Sequence, residues 1–563
     1  MNQKSTHTHE KLATYSAEVI LGPNPFVGFR ARDIGREVFR AFKLAVAQPR
    51  LTAKTAVELG RELSKIFKDE SALCPAERDR RFVDPSWRND PRYRKWLQAY
   101  LALERSASEW LQGQALPAHS HARLKFMISL LTDAMAPSNF PMQPEAVKRF
   151  RESGGHSALD GLKNLLRDLR ENRGLPAQVD KAQFKVGGNV ASTAGAVVLR
   201  TELLELIRYQ PLTPQVQEIP VLIVPPQINK YYVFDLVPEK SVVKHLVEQG
   251  LQVFVISWRN PTREHRDWGL AEYAAGIDMA VSAICNLVHV GHINLVGACA
   301  GGVTLASYVA ARSAAGDPRV NSLTLLVNVL DLSATGETPM GLFATPSAIA
   351  AAKEYSRAKG VLDGKDMATA FAWLRPNDLI WNYWVNNVLL GNKPPAFDVL
   401  YWNNDTTRLP ARLHGEFMDI YRTNAMTQPG TLRLHGVPVD LARVKCDAYF
   451  IAGTTDHITP WKACYRSTQL FGGNNTFVLS NSGHIQSILN PPSNKKAEFW
   501  TGGETGPDAD AWLAGADHHL GSWWLHWQEW LKQRGGTTLA APTELGSADY
   551  PVLDIAPGQY VLG

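Results

Sequence analysis

Apolar positions along the chain follow two different rhythms. From residue 1 to about 183 they recur at helical spacing: Trp96, Tyr100 and Leu103 fall at i, i+4 and i+7, and a similar stripe begins at Leu124. Pro23, Pro25, Pro85, Pro91, Pro137 and Pro141 punctuate these stretches, so a set of separate helices is expected, serving packing or oligomer contacts. Around Phe184 the rhythm changes. Short apolar, β-branched runs appear at 196–199, 221–224, 253–257, 293–296, 323–329, 448–452 and 476–479. Several are continuous, as in strands buried on both faces of a parallel sheet. Helical stretches such as 270–288 and 302–314 lie between them, and that alternation predicts a doubly wound α/β domain over 184–563. The strand rhythm lapses between about 331 and 443, a segment with helical pieces and an aromatic-rich run at 373–402. An insertion there is expected to cap the strand C-terminal edge, where such sheets bind ligands. Later, Trp523, Trp527 and Trp530 share a helix face, and the tail from Arg534 reads as irregular.

Length agrees with this two-part reading, since 563 residues exceed the roughly 250–300 at which one core stops growing. An apolar fraction of 45% and a charged fraction of 20% are ordinary for a globular protein. A net charge of +5 over this length gives no reason to expect nucleic acid, while it does not oppose an anionic substrate. The first residues lack an apolar leader, and no window approaches the roughly 18 apolar residues of a membrane span. Cys74, Cys285, Cys299, Cys446 and Cys464 are scattered without metal spacing. The expectation is a reduced cytoplasmic protein with no transmembrane segment, metal or cofactor.

Candidate chemistry concentrates at 292–302, where a strand runs into Gly297-Ala-Cys299-Ala-Gly301 and then a helix. Gly-x-Cys-x-Gly between strand and helix is a nucleophile elbow with sulfur in the usual serine position. Gly297 and Gly301 allow the close backbone approach of that turn. The helix N-terminus favours negative charge on the sulfur. The plainer reading, a small buried hydrophobe beside turn glycines, is disfavoured by the strand–turn–helix context.

Partners are expected later in the chain, in the order nucleophile, acid, histidine. Asp456 follows the run ending near Ala452, and His484 follows the run ending near Leu479. His484 would take the thiol proton, with Asp456 orienting the imidazole. His457, beside Asp456, is a weaker candidate for a supporting role. An oxyanion hole would use the backbone N–H of Ala300 and one from the loop after 221–224, assigned to Ile228. The other reading of that loop is a proline-stiffened turn with Asn229 and Tyr231 in structural bonds. Ser482 and Gln486, flanking the histidine, are expected to shape an acyl tunnel. Sulfur tilts the chemistry from hydrolysis toward acyl transfer, because a cysteine thioester stays activated for an alcohol acceptor. Dienelactone hydrolases also carry an elbow cysteine, so a polyester depolymerase or thioesterase is the alternative.

Longer stretches carry a family resemblance: residues 225–236 (PPQINKYYVFDL), 257–261 (SWRNP), 297–302 (GACAGG), 375–387 (RPNDLIWNYWVNN), 402–410 (WNNDTTRLP), 456–461 (DHITPW) and 483–492 (GHIQSILNPP). In this order they resemble the polyhydroxyalkanoate synthases over nearly the whole chain, and the length is similar to class II, medium-chain members. The resemblance implies an α/β-hydrolase fold preceded by the helical N-terminal domain, with Cys299, Asp456 and His484 in the catalytic positions. It implies (R)-3-hydroxyacyl-CoA as substrate, CoA as product, a polyester granule surface and a homodimer as partners. Trp402 matches a family tryptophan linked to dimer contact; a role in the cap core is the competing reading. Ala300 stands where many relatives have serine, and only its backbone N–H is required. Direct activation of the 3-hydroxyl by Asp456 and activation through His484 both stay open.

Overall fold

A computed structural model of the chain describes residues 31–563, apart from 78, 334–345, 457 and 504. The early part is helical. Pro91–Gln112 begins with proline in its first turn, and Asp90 caps it by accepting from the Arg92 N–H. Phe82, Trp87, Leu97 and Tyr100 pack into a small aromatic core of their own. Helix His156–Glu171 closes this region and lies on the segment Trp384–Leu389 of the insertion.

The rest of the chain is organised by one sheet of eleven strands. In chain order these are β1 Gly195–Arg200, β2 Leu204–Tyr209, β3 Val221–Val224, β4 Val253–Trp258, β5 Ile293–Ala298 and β6 Val320–Leu326. They continue as β7 Asp447–Gly453, β8 Asn475–Ser480, β9 Glu498–Thr501, β10 Asp517–Leu520 and β11 Asp554–Ile555. Their spatial order is β10-β9-β8-β7-β6-β5-β3-β4-β2-β1-β11. The six from β8 across to β4 are parallel, and the flanking strands are antiparallel. Within β3, Leu222 and Val224 belong to one core and Val221 and Ile223 to another, so the sheet is buried on both faces. The chain leaves β3 for β4 on one side and returns to β5 on the other. Such a switch point opens a crevice at the strand C-termini.

Between β6 and β7 the insertion supplies helices Pro346–Lys359, Gly364–Leu374, Asp398–Asn404 and Ala411–Thr423. It reaches the sheet edge through Trp402 and Thr407, whose side chains bond to the backbone of the loop after β3. Helix Leu270–Val288 is long and apolar enough to cross a membrane, but Tyr273, Ile277, Val281 and Ile284 lie in the sheet's core.

Two expectations differ from the structure. Strand β2 was not apparent from the sequence because Glu205 and Arg208 interrupt its apolar pattern, yet both are buried and satisfied. Glu205 pairs with Arg200 at 2.6 Å and accepts the N–H groups of Gln559 and Tyr560, while Arg208 bonds to Gln252 at 3.2 Å. The tail is also more ordered than expected, since β11 pairs antiparallel with β1. Near its end the carbonyls of Val561 and Gly563 accept from Lys230 at 2.5 and 3.2 Å.

Candidate active site

Cys299 opens the helix Cys299–Ala314 directly after β5, with φ at +53°. A non-glycine residue takes that left-handed conformation only where neighbours impose it. The strand register sets Gly297 beside Val224 and Leu325, so the turn falls between two neighbouring strands. A side chain on Gly301 would place its first carbon 2.5 Å from the carbonyl oxygen of Pro225, and one on Gly297 would strike Gly302 and Leu305. The elbow is therefore pressed against the loop that follows β3. From the loop after β6, Asn328 donates to the Cys299 carbonyl at 2.6 Å and holds the turn in place.

Asp456 follows β7 and His484 follows β8, at the same edge as Cys299. His484 Nδ1 lies 2.7 Å from Asp456 Oδ2, and both side chains are buried. The carboxylate is fully used: Oδ1 accepts the N–H groups of Ile458 and Thr459 at 2.9 Å, and Oδ2 also accepts the Thr459 hydroxyl at 2.6 Å. Burial alone would lower the imidazole pKa, but Asp456 and a hydrogen bond with Cys299 outweigh it and raise it to about 10. Burial likewise opposes the charge on Asp456, and the attraction of His484 keeps its carboxyl below the usual range. Thiol, imidazole and carboxylate thus form one chain of proton-transfer contacts.

The loop after β3 is tied down by three side chains. Trp258 donates to the Pro225 carbonyl at 2.9 Å, Thr407 to Gln227 at 2.8 Å, and Trp402 to Lys230 at 2.7 Å. Ala300 is the second residue of the elbow helix, and Ile228 lines the cavity that holds Cys299 and His484. That cavity measures about 10 Å³, room for roughly one water. Trp402 walls it and is buried within the single chain, as a cap core residue is. From the histidine helix, Ile485 and Ile488 line the cavity, whereas Ser482 and Gln486 do not. The Ser482 carbonyl instead accepts from Thr455 behind the site. His457 lies outside the described residues.

Several supports escape a reading of the sequence. Thr459 has a local signal, being three residues after an aspartate in a turn. Asn328 has none. Trp523 and Trp524 donate to the Ser487 and Ile488 carbonyls at 2.7 and 2.9 Å, gripping the short helix His484–Ile488. Their pairing to that helix depends on the folded sheet. Among the described residues no cluster of His, Cys, Asp and Glu has a metal-binding arrangement.

Residues 78–246 match the family model described as poly-beta-hydroxybutyrate polymerase (PhaC) N-terminus, and residues 220–491 match the alpha/beta hydrolase fold. The chain is 49% identical to poly(3-hydroxyalkanoate) polymerase 1 of Ectopseudomonas oleovorans over 557 residues, covering 99% of each chain. It is 39% identical to the poly(3-hydroxyalkanoate) polymerase subunit PhaC of Cupriavidus necator, covering 90% of this chain and 88% of that one. A solved monoacylglycerol lipase from Paleococcus ferrophilus aligns with 59% of this chain and 99% of its own, at 13% identity and a TM-score of 0.33. That last likeness is too slight to carry an argument. The extent of the polymerase matches, over a sheet with its elbow at the switch point, makes this chain a member of the poly(3-hydroxyalkanoate) polymerase family, with an α/β-hydrolase fold.

Proposed function

We propose that Cys299 is the acyl-carrying nucleophile of a polymerase that joins (R)-3-hydroxyacyl units, of medium chain length, from their CoA thioesters. The observation that carries this reading is the continuous contact from Cys299 through His484 to Asp456. His484 takes the thiol proton, and the sulfur attacks the thioester carbonyl. Charge on the oxygen is met by the N–H groups of Ala300 and Ile228. The tetrahedral adduct collapses, CoA leaves with the proton from His484, and the hydroxyacyl group stays on sulfur. The 3-hydroxyl of another unit then gives its proton to His484 and attacks the Cys299 thioester. An ester forms and the sulfur is released. Because both Asp456 oxygens already accept two bonds each, activation of the hydroxyl through His484 is favoured over direct contact.

A cavity of about 10 Å³ cannot hold an acyl unit, so the cap around Trp402 must shift for substrate to enter. The apolar walls from Ile228, Val233, Ile485 and Ile488 suit an aliphatic tail. Granule association is supported by helix His156–Glu171, which is turned inside out. Asn164 and Asp168 face the protein, while Leu159, Leu162, Leu166 and Leu169 are each more than half exposed. Cytoplasmic location at a granule and a homodimer complete the reading.

The test is to supply hydroxyacyl-CoA of graded chain lengths, follow CoA release, and weigh polymer against free acid. Polymer with an acyl adduct of 299 is expected, and Cys299→Ala should yield neither. His484→Gln is expected to lose roughly 10²–10⁴-fold in rate, the contribution of a positioned base. Free acid as the sole product would favour the thioesterase alternative, and polymer from Cys299→Ala would end the proposal.

A further inference from the structure

A second and much larger cavity, about 1140 Å³, lies beyond the catalytic loop. Helix His156–Glu171, residues 172–183, helix Gly364–Leu374 and the loop before Thr406 surround it. Six cations line it: Lys163, Arg167, Arg173, Lys181, Lys365 and Lys393. The three acidic liners, Asp160, Glu171 and Asp180, do not balance them. Lys163 is paired to Asp160 and Arg173 to Asp366. Among the described residues, Arg167, Lys181, Lys365 and Lys393 have no carboxylate in ion-pair contact. A net positive concave wall of this kind attracts and holds a multiply charged anion.

Two residues, Ile228 and Asn229, line both this cavity and the small one at Cys299. Asn229 is 3% exposed, and neither the oxygen nor the nitrogen of its carboxamide has a partner. A buried amide left unpaired costs roughly 1–3 kcal/mol, so such a group at a junction points to a ligand that completes it. We propose that the large cavity receives the phosphorylated adenosine end of the acyl-CoA, with the pantetheine arm passing Asn229 to reach Cys299. The phosphates meet the unpaired cations, and a secondary amide of the arm offers the donor and acceptor that Asn229 lacks. The volume is generous even for a ligand of that size. This inference rests on the acyl-CoA reading above and adds where the carrier sits.

The full-length protein is compared with the double variant Lys365→Glu, Lys393→Glu and with Asn229→Leu. Each is assayed for thiol release from a hydroxyacyl-CoA and from the same hydroxyacyl group on pantetheine, which lacks the nucleotide. Calorimetry with adenosine 3′,5′-bisphosphate runs alongside. The charge variant should raise KM at least tenfold for the CoA thioester and less than twofold for the pantetheine thioester, and should lose bisphosphate binding. Asn229→Leu should raise KM for both thioesters while bisphosphate still binds. An equal change on both substrates in the charge variant, or bisphosphate binding that survives it, overturns the site. If wild type binds bisphosphate but releases thiol from neither thioester, the reaction assigned above fails instead.

Discussion

Cys299 is held in a backbone conformation that costs an ordinary residue about 1–2 kcal/mol, and its surroundings leave it no alternative. Asn328 grips its carbonyl, and Gly301 gives way to the Pro225 carbonyl. Strain kept in this way points the sulfur at the imidazole. The pair beside it makes stability depend on pH in a defined direction. His484 gains its proton affinity on folding, so its contribution is whole below its unfolded pKa of 6.5 and is lost as pH rises through about 10. The Asp456 contribution is whole above its unfolded value of 3.8 and is lost as pH falls below it. The Tm difference between wild type and Asp456→Asn should therefore be largest between 3.8 and 6.5 and shrink toward pH 10. A difference that grows across that alkaline range would contradict the ion pair. At this scale the sequence was informative wherever a role rests on neighbouring residues, as the elbow and the Asp456 turn do. Asn328 acts on the elbow from a chain segment far from it in sequence, and no local pattern marks it.

Helices act on the site from both ends of the chain. The tryptophan-rich helix Trp523–Lys532 was legible as an apolar face, but its indole N–H groups serve a second purpose at Ser487 and Ile488. Trp523→Phe keeps an aromatic ring against Trp527, at the cost of a small cavity, and removes one such bond, worth about 1 kcal/mol. Its expected effect is a kcat several-fold lower with KM and fold little changed; equal losses in Tm and kcat would mean the indole matters for stability alone. Helix His156–Glu171 has the opposite logic, with small and polar residues inward. Gly161 sits so close to the Val388 carbonyl that a side chain could not fit. Each outward leucine would gain roughly 1.5–3 kcal/mol on full burial, enough together to hold a protein on an apolar surface. Leu162→Glu with Leu166→Glu is expected to shift enzyme from sedimented polyester granules to the supernatant. The rate on soluble thioester should stay within about twofold. Unchanged sedimentation would remove this helix from granule binding.

On the scale of the molecule, the parallel centre of the sheet was readable because strands buried on both faces leave continuous apolar runs. Its antiparallel flanks were not. Strand β10 carries Asp517, His518 and His519 on an exposed edge, and β2 hides buried charges whose partners come from the far end of the chain. That distant pairing has a consequence for the catalytic loop. Lys230 sits in this loop, and its ammonium is shared between Asp405 at 3.3 Å and the carbonyls of Val561 and Gly563. Deleting 560–563 leaves a buried cation with one acceptor group, and the loop bearing Ile228 loses an anchor on its downstream side. Such trimmed protein should melt several degrees earlier, because Glu205 also loses the Tyr560 N–H, and should turn over far more slowly; full activity would show that the anchor is dispensable. The grip on the loop bearing Ile228 is thus divided between the cap, through Asp405, and a strand-edge segment remote in sequence, through a single ammonium, so the firmness of that loop reports on both at once.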